Sequence, residues 1–236
     1  MNRKNVLICC PSWGVAPPEA IESRMGMAYH LGAWQAQPDC PYTFSTGIMS
    51  DFLVQFSREQ IAKKAVNDGF DYIVMVDDDM IVPHDMVDRL LALDVDVVAP
   101  LAVTRTKPHL VVMFGEHPVS GQTYYVLNYP ENALVECHAV GFGAVCIKTE
   151  VLKAMPEPRF FTMAGSKGTG EDLWFCKQAR QRGFKVYMDT RIKLLHLGPR
   201  QYVGEEDFQK NNQEVATMRE ELGTWSIHKA EEGLKA

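Results

Sequence analysis

The stretch that decides the reading of this chain is YIVMVDDDMIVPHD, residues 72–85. Five apolar residues, Tyr72 to Val76, run directly into Asp77, Asp78 and Asp79. A short apolar run bounded by charge reads as a buried strand. Adjacent carboxylates repel one another, and burying unpaired charge is costly. A compensating positive charge is therefore expected close by. In an extended segment, residues two apart share a direction, so Asp77 and Asp79 are expected to converge while Asp78 points away. Two converging carboxylates suit a hard divalent cation, Mg²⁺ or Mn²⁺, which takes oxygen ligands and often shares them with phosphates. The bland alternative is an Asp-rich turn, which is common at strand ends.

Outward from this point the chain alternates between strand and helix patterns. Upstream, NVLICCPSW (5–13) reads as a first buried strand ending in a Pro/Ser loop. PPEAIESRMGMAYHLGAW (17–34) reads as a loop and helix with Met27, Leu31 and Trp34 on one face, and YTFST (42–46) as a short strand. SREQIAKKAVNDGF (57–70) reads as a helix capped by Ser57 and stopped at Gly69. Downstream, PHDMVDRLLAL (83–93) is a short helix and VDVVAP (95–100) another buried strand. This alternation is the pattern of a largely parallel sheet covered by helices. From 109 to 148 it gives way to short segments separated by Gly, Pro and Asn, expected as antiparallel strands. Helices are expected again at TEVLKAM (149–155) and GEDLWFCKQARQRGF (170–184), then strands at KVYMD (185–189) and IKLLHLG (192–198), and a weak helix at about 205–222. The expected division is one α/β domain over 1–200, with a nucleotide-binding-like half (1–100) and a mixed half (101–200), followed by a tail (201–236).

The chain has 236 residues, 46% hydrophobic and 23% charged, with a net charge of -6. That composition fits one globular domain and gives no general pull toward nucleic acid or anionic membrane. The apolar run Val6–Cys10 is too short for a signal-peptide core, and no segment reaches a membrane-spanning length, so a cytoplasmic location is expected. The six cysteines form no CxxC pair and sit mostly in apolar surroundings; reduced core thiols are expected.

Two further groups carry chemistry. Glu171 and Asp172 begin a helix, where carboxylates complement the dipole, and a carboxylate here can take a proton from an attacking hydroxyl. His196 ends an apolar strand; such a histidine is ordinarily a satisfied core residue, but beside a carboxylate-held metal it becomes a ligand candidate. In open α/β sheets ligands bind beyond the carboxyl ends of the strands, which is where the three aspartates lie.

Taken in order, the segments AVNDGFDYIVMVDDDMIVP, VGFGAVCIKTEVL, PRFF and GEDLWFCKQARQRGFKVYMDTRIKLLHLG resemble the nucleotide-sugar glycosyltransferases of the GT-A fold, glycosyltransferase family 2 in particular. The resemblance spans about Val6 to Gly198. It implies a Rossmann-like mixed sheet with covering helices and a smaller antiparallel acceptor-side half. It implies Mn²⁺ or Mg²⁺ held by Asp79 and His196, with Asp77 beside them. It implies a nucleoside-diphosphate sugar as donor, with Asp77 or Asp78 at its ribose or sugar, Arg58 facing it, Pro11 and Ser12 lining the base, and Arg200 at the diphosphate. Asp172, with Glu171 beside it, would be the general base of an inverting transfer to an acceptor hydroxyl. The acceptor is open: glycan, small molecule, protein or modified nucleic acid. Trp13 is a candidate to stack on the base, while Trp174 and Phe175 read as core. Gly141 and Gly143 read equally as sites of close packing or of approach to a sugar. Three other classes stand beside this one. A DxD-type phosphohydrolase would place its strand first in the domain, whereas Tyr72–Val76 is about the third. A nucleotidyltransferase would release pyrophosphate. A non-catalytic nucleotide-sugar binder would have little use for Asp79, Asp172 and His196 together.

Overall fold

The computed structural model describes residues 3–12, 14, 16–51, 53–161, 170–198, 202–210 and 216. Its centre is β1 (Lys4–Ser12), which pairs in parallel with β2 (Tyr42–Ser50) along its length and with β3 (Tyr72–Val76) from Val6 to Cys9. The helices α1 (Pro18–Gln35) and α2 (Val54–Asn67) make the crossovers, as parallel strands require. Period-2 alternation divides the strands between two cores. Leu7, Cys9, Ile73 and Met75 pack on one face of the sheet with Ile61, Ala62 and Ala65 of α2. Val6, Ile8, Val74 and Val76 pack on the other with Met27 and Leu31 of α1.

The helix α2 begins a turn earlier than expected. Its N-terminal boundary is Leu53, in extended conformation, and Ser57 lies inside the helix with its hydroxyl buried and unpartnered. Its end is where the sequence places it: Gly69 takes a φ of 73°, a conformation glycine adopts without strain.

After β3 come β4 (Met80–Ile81), α3 (Met86–Ala92) and β5 (Val97–Leu101). The following segment holds β6 (Met113–Glu116), β7 (Thr123–Tyr125), β8 (Leu134–Cys137), β9 (Ala139–Val140) and β10 (Ala144–Lys148). Then follow α4 (Thr149–Ala154), α5 (Glu171–Gln181), β11 (Val186–Lys193), β12 (Leu195–Leu197), β13 (Tyr202–Val203) and α6 (Glu205–Lys210). Of the helix expected at about 205–222, α6 is the described part, and most of the remainder lies outside the described residues.

The main sheet has seven strands in the order β2-β1-β3-β10-β5-β11-β8. Five run in one direction; β10 and β8 run against their neighbours. The antiparallel segments expected over 109–148 therefore divide. β6, β7 and β9 form a small sheet of their own, whereas β8 and β10 join the main one, β10 between β3 and β5. The two expected halves of the domain thus share a single sheet. A third sheet, β13-β12-β4, sits directly after the three aspartates. All six cysteines are buried and unpaired, and burial pushes the Cys9 and Cys10 thiols up to about 11 and Cys146 to about 12, which keeps them protonated. Among the described residues no helix is long and apolar enough to cross a membrane.

Candidate active site

The three aspartates leave the carboxyl end of β3 and part in three directions. The backbone is pinned first: Asp77 N–H donates to the Gly143 carbonyl at 2.8 Å, and Leu197 N–H to the Asp79 carbonyl at 2.9 Å. Gly143 lies against Met80 and Gly141 against Val112, so closely that a Cβ at either would crowd its neighbour. Close packing is thus the role these two glycines have here.

Asp77 turns inward. The Arg58 guanidinium donates through Nη2 to both Asp77 carboxylate oxygens, at 2.8 and 2.9 Å, and to the Phe142 carbonyl at 3.0 Å. Its Nη1 bonds Glu171. Arg58 is 3% exposed at its side chain, and the guanidinium stands over the Phe142 ring. The resemblance implies an arginine facing the donor; Arg58 lies buried among the acids, its two Nη atoms donating to Asp77, Glu171 and the Phe142 carbonyl and its Nε buried without a partner among the described residues. Burial pulls the guanidinium toward neutrality, but Asp77 and Glu171 outweigh it and hold it charged. Three carboxylates, Asp77, Glu171 and Asp172, share this one cation. Burial, only partly offset by Arg58 and reinforced by Asp79 and Glu171, pushes Asp77 up to about 6. Asp172 also reaches about 6, through burial first and the charge of Glu171 second. Its Oδ1 accepts from Leu173 N–H at 2.7 Å, in the first turn of α5.

Asp78 points to the first strand, where Ser12 Oγ donates to it at 2.8 Å. The same hydroxyl oxygen accepts from Gly14 N–H at 3.0 Å. Pro11 is buried in β1, beyond the last residue that pairs with β3, where a missing N–H costs no ladder bond on that side. Trp13 and Arg200 lie outside the described residues.

Asp79 meets His196. The imidazole Nε2 is 3.2 Å from Asp79 Oδ2, and Nδ1 is 2.8 Å from the Val103 carbonyl. A carbonyl only accepts, so Nδ1 carries the proton, and Nε2 of the neutral ring presents a lone pair toward a carboxylate. Two electron-rich atoms facing one another need a cation between them or a proton on the ring. The small sheet sets this meeting: His196 pairs with Met80 across β12 and β4. Arg105, unremarked in the sequence, donates from Nη1 to the same Asp79 Oδ2 at 3.0 Å. Burial pushes the Asp79 carboxyl up, but the His196 hydrogen bond, the His196 charge and Arg105 together bring it below the ordinary value.

The expected convergence of Asp77 and Asp79 on one ion is therefore not the arrangement seen: Asp77 answers to Arg58, and Asp79 to His196 and Arg105. Part of the missing positive charge is supplied by these two arginines. Among the described residues no group of three or more His, Cys, Asp or Glu gathers as a metal cage. Asp79 and His196 nonetheless bring a carboxylate oxygen and an imidazole nitrogen to 3.2 Å, a pair that would hold a divalent ion completed by water or substrate oxygens.

No family model matches the chain, and no curated protein matches it. Among solved structures, the chain is similar to A197 from STIV, with a TM-score of 0.56 and 17% identity over 86% of this chain and 91% of that one. It is also similar to UDP-glucose pyrophosphorylase complexed with UDP-glucose (TM-score 0.43, 8% identity, 91% of this chain and 99% of that one). A third likeness is to a Drosophila β-1,4-galactosyltransferase 7 mutant in complex with manganese, UDP-Gal and xylobiose (TM-score 0.40, 16% identity, 84% and 72%). The first likeness shows a shared fold. The architecture is a mixed α/β fold, with a largely parallel sheet and covering helices, shared with that first structure.

Proposed function

We propose that this chain is a glycosyltransferase that moves a sugar from a nucleoside-diphosphate sugar to an acceptor hydroxyl with the help of a divalent cation. The observation that carries the reading is the meeting of Asp79 and His196, 117 residues apart in sequence, beyond the carboxyl end of the main sheet. A partly buried carboxylate and an imidazole whose Nδ1 is held by a backbone carbonyl form the kind of donor set that Mn²⁺-class ions accept. Asp79 and His196 would hold the ion, whose chemistry there is to offset the charge that grows on a diphosphate leaving group.

The chain's own residues do the rest. Asp78, held toward the first strand by Ser12, faces the side of the site expected to take the ribose. Asp172 acts as the general base. A hydroxyl attacks poorly unaided, and a carboxylate lifted to about 6 is a stronger base than an ordinary aspartate while remaining largely ionised at neutral pH. Arg58 positions both groups from below, tying Glu171 of α5 to Asp77 after β3. The transfer is expected to be inverting.

The test is a screen of radiolabelled nucleoside-diphosphate sugars with Mn²⁺ and with chelator. Release of the nucleoside diphosphate that depends on Mn²⁺ supports the reading. Release of pyrophosphate from a nucleoside triphosphate would make the protein a nucleotidyltransferase, and release of inorganic phosphate from a phosphomonoester a phosphohydrolase.

A further inference from the structure

The loop after β5 reaches the candidate site with two different groups. It is a self-bonded hairpin: Val103 bridges Val111, Val112 N–H donates to the Ala102 carbonyl at 3.0 Å, and Thr104 N–H to the Leu110 carbonyl at 2.9 Å. Within it Thr104 Oγ donates to the Thr106 carbonyl at 3.0 Å and accepts from Leu110 N–H at 3.1 Å. His109, buried and in the left-handed region at a φ of 57°, closes the loop through Nδ1 on the Thr104 carbonyl. At the base of this hairpin Val103 orients His196. From its tip Arg105 reaches Asp79.

The arginine and the histidine address one and the same oxygen, Asp79 Oδ2. That oxygen is the one facing His196 Nε2, so an ion held by both side chains would take it. Arg105 stands where the ion's charge would stand. It is also unlike Arg58, the arginine that holds Asp77: its side chain is 55% exposed, against 3% for Arg58. An exposed guanidinium on a single carboxylate oxygen is held weakly and is free to exchange partners.

We propose that Arg105 is the resident counter-cation of Asp79, displaced when a divalent ion binds and passed to the diphosphate that the ion brings with it. This rests on the reading of Asp79 and His196 as ion ligands. It makes Arg105 a donor-binding residue with two opposed effects. Before the ion enters, Arg105 competes with it for Asp79. Afterwards the planar guanidinium matches phosphate oxygens, which a neutral side chain cannot do. The hairpin joins the two: the backbone that sets the His196 tautomer also carries the arginine.

The experiment is isothermal titration of the full chain with Mn²⁺ alone, then with pyrophosphate in the presence of Mn²⁺, for the wild type, Arg105→Gln, Arg105→Lys and Asp79→Ala. Removing a weak competing pair predicts that Arg105→Gln binds Mn²⁺ alone about threefold more tightly. Loss of a charge-assisted contact predicts that it binds Mn²⁺-pyrophosphate about tenfold more weakly. Arg105→Lys should lie close to the wild type for Mn²⁺ alone and between the two for pyrophosphate. Opposite signs in one variant are not what a folding defect produces, and thermal melting of Arg105→Gln serves as the check. If Asp79→Ala abolishes Mn²⁺ binding while Arg105→Gln alters neither affinity, the role of Arg105 is overturned and the metal reading stands. If Mn²⁺ binds none of the four, alone or with pyrophosphate, both fall together.

Discussion

Two acids of the same tripeptide segment, Asp77 and Asp79, meet opposite fates. Asp77 is closed in: its partner Arg58 is buried, gives Asp77 two hydrogen bonds from one nitrogen, and is itself tied to Glu171 and the Phe142 carbonyl. Asp79 is open: its side chain is 21% exposed, and its partners are an imidazole and a half-exposed arginine that share one oxygen. The exposures of the acids themselves barely differ, at 24% and 21%. What differs is the partner. A buried cation cannot leave without stranding charge, whereas an exposed one exchanges with water or with a ligand. Arg58 is therefore fixed to Asp77, whereas Arg105 is free to exchange Asp79 for another partner.

Breaking the closed cluster should have the largest effect on the molecule. Arg58→Met leaves Asp77 and Glu171 in place without their cation. Removing one partner of a buried pair typically costs about 3–5 kcal/mol. Urea unfolding of this variant should show a loss of that order. A loss below about 1 kcal/mol would mean that the cluster is solvated after all.

Asp172 tests the comparison from the side of catalysis. Asp172→Asn should lower the transfer rate by about 10²–10⁴ without loss of Mn²⁺ binding. The same change should stabilise the fold at pH 7. The folded-state value of Asp172 lies near 6, above the ordinary 3.8, so burying the charged form costs stability at every pH above about 6. That cost shrinks as the pH falls from 6 and is gone below about 3, where the carboxyl is protonated in both states. Asp172→Asn is therefore expected to gain about 1–2 kcal/mol over the wild type at pH 7, and less at pH 5, in paired urea titrations. The transfer rate of the wild type should fall for the same reason as the pH drops below about 6. A rate independent of pH from 5 to 8 would remove Asp172 as the base.

The smallest structural effect belongs to the open cluster. Arg105→Gln should shift stability by less than about 1 kcal/mol, as exposed ion pairs do. A loss comparable to that of Arg58→Met would erase the distinction between the two aspartates.

How far the sequence reaches follows the same divide between local and distant order. The apolar runs of β1, β3 and β5 read correctly because period and composition are local properties, and Gly69 marks the end of α2 because its φ is positive. Ser57 misleads as a cap because a serine ahead of a helical pattern looks the same whether it caps the helix or is buried one turn inside it. The place of β10 between β3 and β5 is set by pairing with distant strands, which its own five residues do not encode. The pairing of Asp79 with His196 was approachable only through the order of motifs along the chain. Arg58 was singled out, but not its burial, because its partners lie 19 and 113 residues away. Arg105 in AVTRTKPHL carries no periodicity or motif at all; it becomes visible only once the hairpin brings it to Asp79.

The most direct measurement is thermal melting with a panel of nucleoside diphosphates, each with Mn²⁺ and with chelator, on the wild type and on Asp79→Ala. The prediction is that one nucleoside diphosphate raises the melting temperature of the wild type only when Mn²⁺ is present, and that Asp79→Ala loses this response while melting normally by itself. A stabilisation that survives both chelator and Asp79→Ala would contradict the account, because the diphosphate would then be held without an ion at Asp79 and His196.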